Sequence, residues 1–336
     1  MAYQTGDTIL DDHYNGFANT SGANLNKIWG VGDAGHGWGQ GNAISTVSAG
    51  GTVQATQWNT LLDRAKVIAD HEGGTMSTDS GSLAAGDVIV AIDTLTSEIT
   101  TLNNNRYNAA ASKLTAATNP NSVNRTFTGS WRTSTIQEVT VTFASSDAAR
   151  YFFNAGGRIT HSWSLSGNTA NDKSAEWVDL FGTLAGTFFL AGVTDGLGGS
   201  GTQAVELNDG YWNDDLTNGG NYVVVQKQNA DASAYTANFC QWEVKLSGTA
   251  GDNNGKGEVV HIKATASDAA VDSSDEGAAA DPDDSSPDEE EDSQTLLDTV
   301  DGNLVSAWGY NKPNLNSLEQ DAIGTITFAE AAQSQA

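Results

Sequence analysis

Apolar residues recur at helical spacing in the first third of the chain. Residues 54–72 carry a stripe that is followed by Gly73 and Gly74, a common way for a helix to end. The stripe consists of Trp58, Leu61, Leu62, Ala65, Ile68 and Ala69. The spacing predicts an amphipathic helix over 54–72.

A second helical pattern runs from Leu83 to Tyr107, with apolar residues at alternating steps of four and three. This is the spacing of a heptad seam. The seam consists of Val88, Ile92, Leu95, Ile99 and Leu102. It can join copies of the chain into a dimeric or trimeric bundle, or it can pack on the chain's own first helix. We favour a homotrimer with these residues at its interface.

From about Asn119 the period changes from helical to alternating. Runs such as 139–143 and 159–165 alternate apolar residues with Thr and Ser, which is typical of half-buried strands. Further runs follow up to 267, with a turn at 154–157, a short helix at 177–184 and a hairpin loop at 249–257. Several strands at this spacing predict an antiparallel β-sandwich over 119–267.

The first 53 residues show neither period. Tyr14, Phe17, Trp29 and Trp38 are spread along a glycine-rich stretch, and aromatic anchors of this kind are common at the centre of interfaces. We predict an irregular N-terminal anchor whose rings attach the chain to a partner. The expected fold is therefore mainly β with α segments: an anchor over 1–53, a helical stem over 54–118 and the sandwich.

Residues 268–293 carry twelve acidic side chains and no basic one. Such a segment buries too little apolar surface to offset its ordering entropy, so we expect a disordered linker that is dispensable for folding. Residues 294–336 regain apolar side chains, including Trp308. They are too few for a domain, and we expect them to dock elsewhere in the assembly.

The charge balance restricts the choice of partners. Lys and Arg number 15 against 42 Asp and Glu, and the formal net charge is -27. Such a surface repels phosphate backbones and anionic lipid, so nucleic acid and membranes are not expected partners. The N-terminus lacks the features of a secretory signal, and no run reaches the length of a membrane span. The single cysteine, Cys240, excludes an intrachain disulfide and is expected to be a buried strand residue.

Signals for catalysis are weak. Residues 30–35 read GVGDAG, the pattern that binds a dinucleotide when a buried strand enters it and a helix leaves it. Neither element is expected here, so we interpret the stretch as a glycine-rich surface loop pinned by Trp29 and Trp38. The five histidines show no metal-ligand spacing. We expect no enzymatic activity, cofactor or metal.

One loop has the composition of a glycan site. Tyr211 and Trp212 could stack on sugar faces while Asp214 accepts hydroxyl hydrogen bonds. The alternative is that both aromatic residues cap the sandwich core beneath a loop, and we favour it.

Three stretches resemble structural proteins of tailed bacteriophages, particularly those of marine and cyanobacterial hosts. They are IWGVG with the following GWGQ, the helix QWNTLLDRA and the turn ARYFFNAGG, and the similarity spans roughly residues 5–75 and 135–262. The resemblance implies a non-enzymatic virion component of fibre, neck or tail-appendage type, assembled in the host cytoplasm with other virion proteins. It does not fix the position on the particle, and contact with a host surface glycan would use the loop that contains Tyr211 and Trp212.

Other function classes stay open at this point. A carbohydrate-binding or adhesin module fits the aromatic and acidic loop, and a capsid-decorating protein fits the same resemblance. A virion-borne glycan hydrolase is the enzymatic alternative, and turnover of host polysaccharide would reveal it.

Overall fold

The computed structural model of the chain describes most of its length. The described residues are 10–20, 22–32, 35–78, 92–116, 122–167, 172–192, 203–206, 220–232, 235–251, 256–270 and 299–336.

Four helices form an N-terminal unit. They are α1 (Asp11–Asn15), which continues into a π-helical turn at Gly16–Thr20, α2 (Leu25–Trp29), α3 (Ala55–Glu72) and α4 (Ile92–Asn105). The predicted helix over 54–72 is confirmed as α3. It begins with a capping box between Gln54 and Gln57 and ends at Gly73, whose φ of 79° suits glycine.

In the described part of the chain, two further helices and eleven strands follow. The helices are α5 (Ser146–Asn154) and α6 (Asp172–Asp179), which continues into a π-helical turn at Leu180–Ala185; a 3-10 turn spans Ala111–Lys113. The strands are β1 (Leu114–Ala116), β2 (Arg125–Phe127), β3 (Ser134–Phe143), β4 (Arg158–Ser166), β5 (Thr187–Ala191), β6 (Gln203–Glu206), β7 (Val223–Asn229), β8 (Phe239–Ser247), β9 (Val259–Ser267), β10 (Asn303–Pro313) and β11 (Ile326–Gln335).

The strands form two sheets. One has the order β1-β10-β4-β5-β6, with β2 also paired to β10, and the other has the order β11-β3-β9-β8-β7. All pairs are antiparallel except β5 with β6, which is parallel. The prediction of a mainly β fold with α segments is confirmed.

The two sheets face each other across one apolar core. Phe188 of β5 stacks on Trp242 of β8, with ring centroids 4.9 Å apart. The indole of Trp308 in β10 donates a hydrogen bond to Gln137 Oε1 in β3 at 2.9 Å. Strands from both sheets thus supply facing side chains, as in a sandwich.

The C-terminal segment, residues 299–336, belongs to this sandwich. Its strand β10 pairs with β4 along nine positions, and β11 pairs with β3. Trp308 is 2% exposed. The expected sandwich boundary at residue 267 is therefore wrong, because each sheet takes one strand from the C-terminal segment.

A helix was missed at the predicted turn. Ser145 accepts a hydrogen bond from the backbone of Ala148 and caps α5, which then buries Phe152 and Phe153. The expected turn at 154–157 follows it, with Gly156 at a φ of 82°. The signal was present as an N-cap serine before apolar residues at helical spacing.

Asp268, at the start of the acidic stretch, and Asp301, beyond its end, both contact α6. Lys173 Nζ lies 2.6 Å from Asp268 Oδ2, and both side chains are buried. The backbone N–H of Asp301 donates to Ser174 Oγ at 3.0 Å. Asp268 thus packs in the sandwich and is not part of a linker. The rest of the predicted linker, 271–293, lies outside the described residues.

We predict that Trp308→Ala lowers the free energy of unfolding of the whole sandwich. The loss should be about 3–5 kcal/mol, because the substitution leaves a cavity in the core and removes the donor to Gln137 Oε1. Urea unfolding followed by tryptophan fluorescence and circular dichroism measures it. Leu315→Ala, at a position 57% exposed, is the matched control and should cost no more than about 0.5 kcal/mol. An unchanged midpoint for Trp308→Ala would show that the segment is not part of the core.

We also predict that replacing residues 272–297 by a short Gly-Ser linker leaves the melting temperature nearly unchanged. Both flanks are held by neighbouring residues of α6, so a short connection closes the same gap. Differential scanning calorimetry measures the change. Asp268→Asn, which leaves the Lys173 charge buried without its partner, should by contrast lower the melting temperature. A drop of several degrees on deletion would contradict the prediction.

Candidate functional site

The predicted seam lies inside the chain. Leu95, Ile99 and Leu102 are 1%, 1% and 5% exposed, and they share one apolar cluster with the buried face of α3. Val88 and the side chain of Ile92 lie outside the described residues. The three described residues are therefore not an interface between copies, because packing on α3 has already buried them. The homotrimer remains a prediction, but Leu95, Ile99 and Leu102 do not form its interface.

The predicted attachment rings are buried as well. Tyr14, Phe17, Trp29 and Trp38 are between 0% and 8% exposed. Tyr14 and Phe17 pack on Trp58 of α3, with ring centroids 6.3 and 6.1 Å away. The expectation that these rings need a partner surface is wrong, because α3 and α4 provide an intrachain core for them.

The described residues of the GVGDAG stretch, 30–32 and 35, lie in a loop whose backbone is bound by the residues that follow it. Gly37 N–H donates to Val31 O and Gly39 N–H donates to Gly30 O, both at 2.8 Å. Asn154 of α5 donates to Gly35 O at 2.8 Å and to Gly37 O at 2.9 Å. Trp29 and Trp38 lie beneath it with centroids 6.1 Å apart. The loop carbonyls bind α5, and the interpretation as a loop pinned by two tryptophans is confirmed. Asp33 and Ala34 lie outside the described residues.

The predicted glycan contacts cannot be placed. Tyr211, Trp212 and Asp214 lie outside the described residues, so the glycan site stays a prediction.

His161 joins the two sheets. It is 1% exposed, and its Nδ1 accepts a hydrogen bond from Trp242 Nε1 at 3.0 Å. Because an indole N–H can only donate, the imidazole proton is on Nε2, which donates to Ser306 Oγ at 2.8 Å. Burial lowers the pKa of His161 to about 3. His161 thus lies buried at the point where β4, β8 and β10 meet.

His71 joins the helical unit to the sandwich. It is 0% exposed, and its Nε2 donates to Ala155 O at 2.9 Å, since a carbonyl only accepts. Nδ1 then accepts from Ser317 Oγ at 2.6 Å. Trp38 lies 4.5 Å away, centroid to centroid. Burial, only partly opposed by the hydrogen bond to Ala155, lowers the pKa of His71 to about 4. Both histidines are therefore uncharged at neutral pH, and their hydrogen bonds connect separate elements of the fold.

Two other buried titratable groups have no catalytic setting. Burial raises the pKa of the Cys240 thiol well above its ordinary value, which makes it a poor nucleophile and confirms the expectation of a buried strand residue. Burial also raises the pKa of Glu72 to about 9, although Arg106 opposes the shift. Glu72 is the last residue of α3, where the helix dipole disfavours a carboxylate.

One cavity of about 520 Å³ lies between α1 and α4. Asp12, His13 and Asp93 are among its polar side chains, and Phe17 and Ile99 contribute apolar surface. Its volume is in the range of small-molecule sites, and two carboxylates on an apolar floor suit a small cationic or hydroxylated compound. The cavity could not be predicted from the sequence, because its two walls are separated by about 80 positions along the chain.

The described residues hold no group of three or more His, Cys, Asp or Glu side chains that could bind a metal ion. Within the same ranges, none of the helices combines the length and the apolar character of a membrane span.

Comparisons with known proteins add no family. No protein-family model matches the chain, and no match was found among curated proteins or solved structures.

We predict that acidification destabilises the fold through these histidines. In the unfolded chain a histidine has a pKa near 6.5, so between pH 6.5 and 4 the unfolded state binds more protons than the folded state. Stability contributed by neutral His71 is thus present above pH 6.5 and is lost as the pH falls through this window. The loss should be about 2 kcal/mol between pH 6.5 and 5.

Urea unfolding at several pH values measures this effect. His71→Gln should lose about that amount of the pH-dependent change in stability, and Leu315→Ala, which replaces an exposed side chain without a titratable group, is the control with the wild-type pH dependence. Equal slopes for all three proteins would contradict the assignment of His71.

Proposed function

We propose that the chain is a non-enzymatic structural component of a tailed-phage virion, of fibre, neck or tail-appendage type. It assembles with further copies of itself and with other virion proteins. One observation supports this proposal most directly. The buried histidines His71 and His161 form hydrogen bonds that connect helices and sheets within the fold. Such hydrogen bonds have a structural role, which suits a structural protein better than a catalytic site.

The packing of the chain supports this proposal. Arg64 of α3 forms an ion pair with Glu319 of the C-terminal segment, at 2.9 Å, and its guanidinium stacks on Trp29 at 3.9 Å. Gln320 N–H donates to Gln40 Oε1 at 2.9 Å. Residues close to both ends of the chain thus meet on α3, which favours a rigid unit that transmits load.

Surface charge gives further support. The net charge of -27 opposes binding to nucleic acid and anionic membranes and keeps copies soluble before assembly. Since the N-terminal rings are buried, attachment would use exposed side chains such as Leu10 and Val31, which are 53% and 41% exposed. Contact with a host glycan through Tyr211 and Trp212 remains part of the proposal.

We predict that the protein co-purifies with virions of the phage that encodes it. Particles would be banded twice on density gradients, and its peptides quantified by mass spectrometry against the major capsid protein. A host cytoplasmic enzyme serves as the marker of contamination. Immunogold labelling of the same particles would show whether it lies on the tail, neck or capsid. Recovery only in the particle-free fraction, together with the contaminant marker, would overturn the proposal.

A further inference from the structure

We propose that the C-terminal segment, residues 299–336, is exchangeable between copies: one chain supplies β10 and β11 to the sandwich of a second copy. The proposal concerns the chain itself and does not depend on where it resides.

The segment is a complementing unit for the sandwich. Its two strands do not pair with each other; β10 lies between β4 and the short strands β1 and β2, and β11 covers β3. Strands of one segment thus enter both sheets. This is the geometry by which a donated strand completes an acceptor domain.

The rest of the chain depends on the segment for its buried polar groups. Ser306 and Ser317 are hydrogen-bond partners of His161 and His71, and Trp308 is the partner of Gln137. Without the segment these buried groups lose partners, and a buried polar group without a partner destabilises the fold. A copy whose own segment 299–336 is undocked would therefore bind the segment of a neighbouring copy through the same contacts.

The connection is far longer than intrachain docking requires. Asp268 and Asp301 bind Lys173 and Ser174, adjacent residues of α6. A few residues would join these points, yet the stretch 271–298 contains 28. Fully extended, it spans roughly 90 Å, against a radius of gyration of roughly 20 Å for a compact chain of this length. The connection can therefore reach a neighbouring copy.

The charge of the connection favours long reach. Residues 271–298 carry twelve acidic side chains and no basic one, and like charges extend a linker. A connection of this length limits the effective concentration of the chain's own segment to the millimolar range or below. Exchange therefore competes with intrachain docking when copies are concentrated, as they are in an assembly.

Engineered disulfides test the exchange in the full chain. Ser162 in β4 and Ala307 in β10 are Cα partners, so Ser162→Cys with Ala307→Cys can form a cross-strand disulfide. Gln241→Cys with Thr265→Cys, on the Cα partners of β8 and β9, is the matched control, since both strands precede the connection.

The protein would be refolded in reductant from micromolar to about millimolar concentration, the range of the effective concentration, and oxidised after folding. Cys240 is buried and protected. On non-reducing denaturing gels we expect a covalent dimer band that rises with concentration for the β4–β10 pair, and a monomer for the control. A monomer for the β4–β10 pair at every concentration would overturn the proposal.

A third protein tests the role of the connection. Replacing 271–298 by a short Gly-Ser linker in the Ser162→Cys, Ala307→Cys background should abolish the dimer band, because the shortened chain closes only on its own α6. Persistence of the band would overturn the argument from length. A negative disulfide result would leave the proposed virion role untouched. Absence of the protein from virions would likewise leave the proposed segment exchange untouched.

Discussion

Two buried neutral histidines are the constraint on which the folded chain depends. His161 links β4 and β10 to β8, and His71 links α3 to the sandwich. Each also binds a serine of the C-terminal segment. An imidazole excluded from water is tolerated only when both ring nitrogens have partners and the ring stays uncharged. The docking of residues 299–336 is therefore coupled to the helical unit and to the sandwich.

Tryptophan supplies much of the surrounding apolar surface. The eight tryptophans in the described residues are all 3% exposed or less, and they divide between the helical core and the sandwich core. The edge strands of the second sheet, β11 and β7, each contain a register shift. Bulges of this kind discourage edge-to-edge pairing. The two register shifts therefore disfavour the addition of a further strand at these edges.

Several site predictions were wrong for one shared reason. Tyr14, Phe17, Trp29 and Trp38 were expected to bind a partner, and Leu95, Ile99 and Leu102 a second copy. The first set is aromatic, and the second is apolar with heptad spacing. The sequence pattern shows only that such side chains are buried. It does not show which surface buries them. In the structure both sets pack in one apolar cluster with the buried face of α3.

Local pattern alone determined the amphipathic helix α3, its stop at Gly73, the alternating strands and the pinned glycine loop, because these depend on neighbours within a few residues. Only the tertiary structure decided that β10 and β11 enter the sandwich and that His161 lies at its centre. These contacts join residues more than a hundred positions apart, such as His161 with Ser306. The same alternation of apolar and polar residues that predicts a strand is compatible with many pairings, and the choice among them is made by the fit of the whole core.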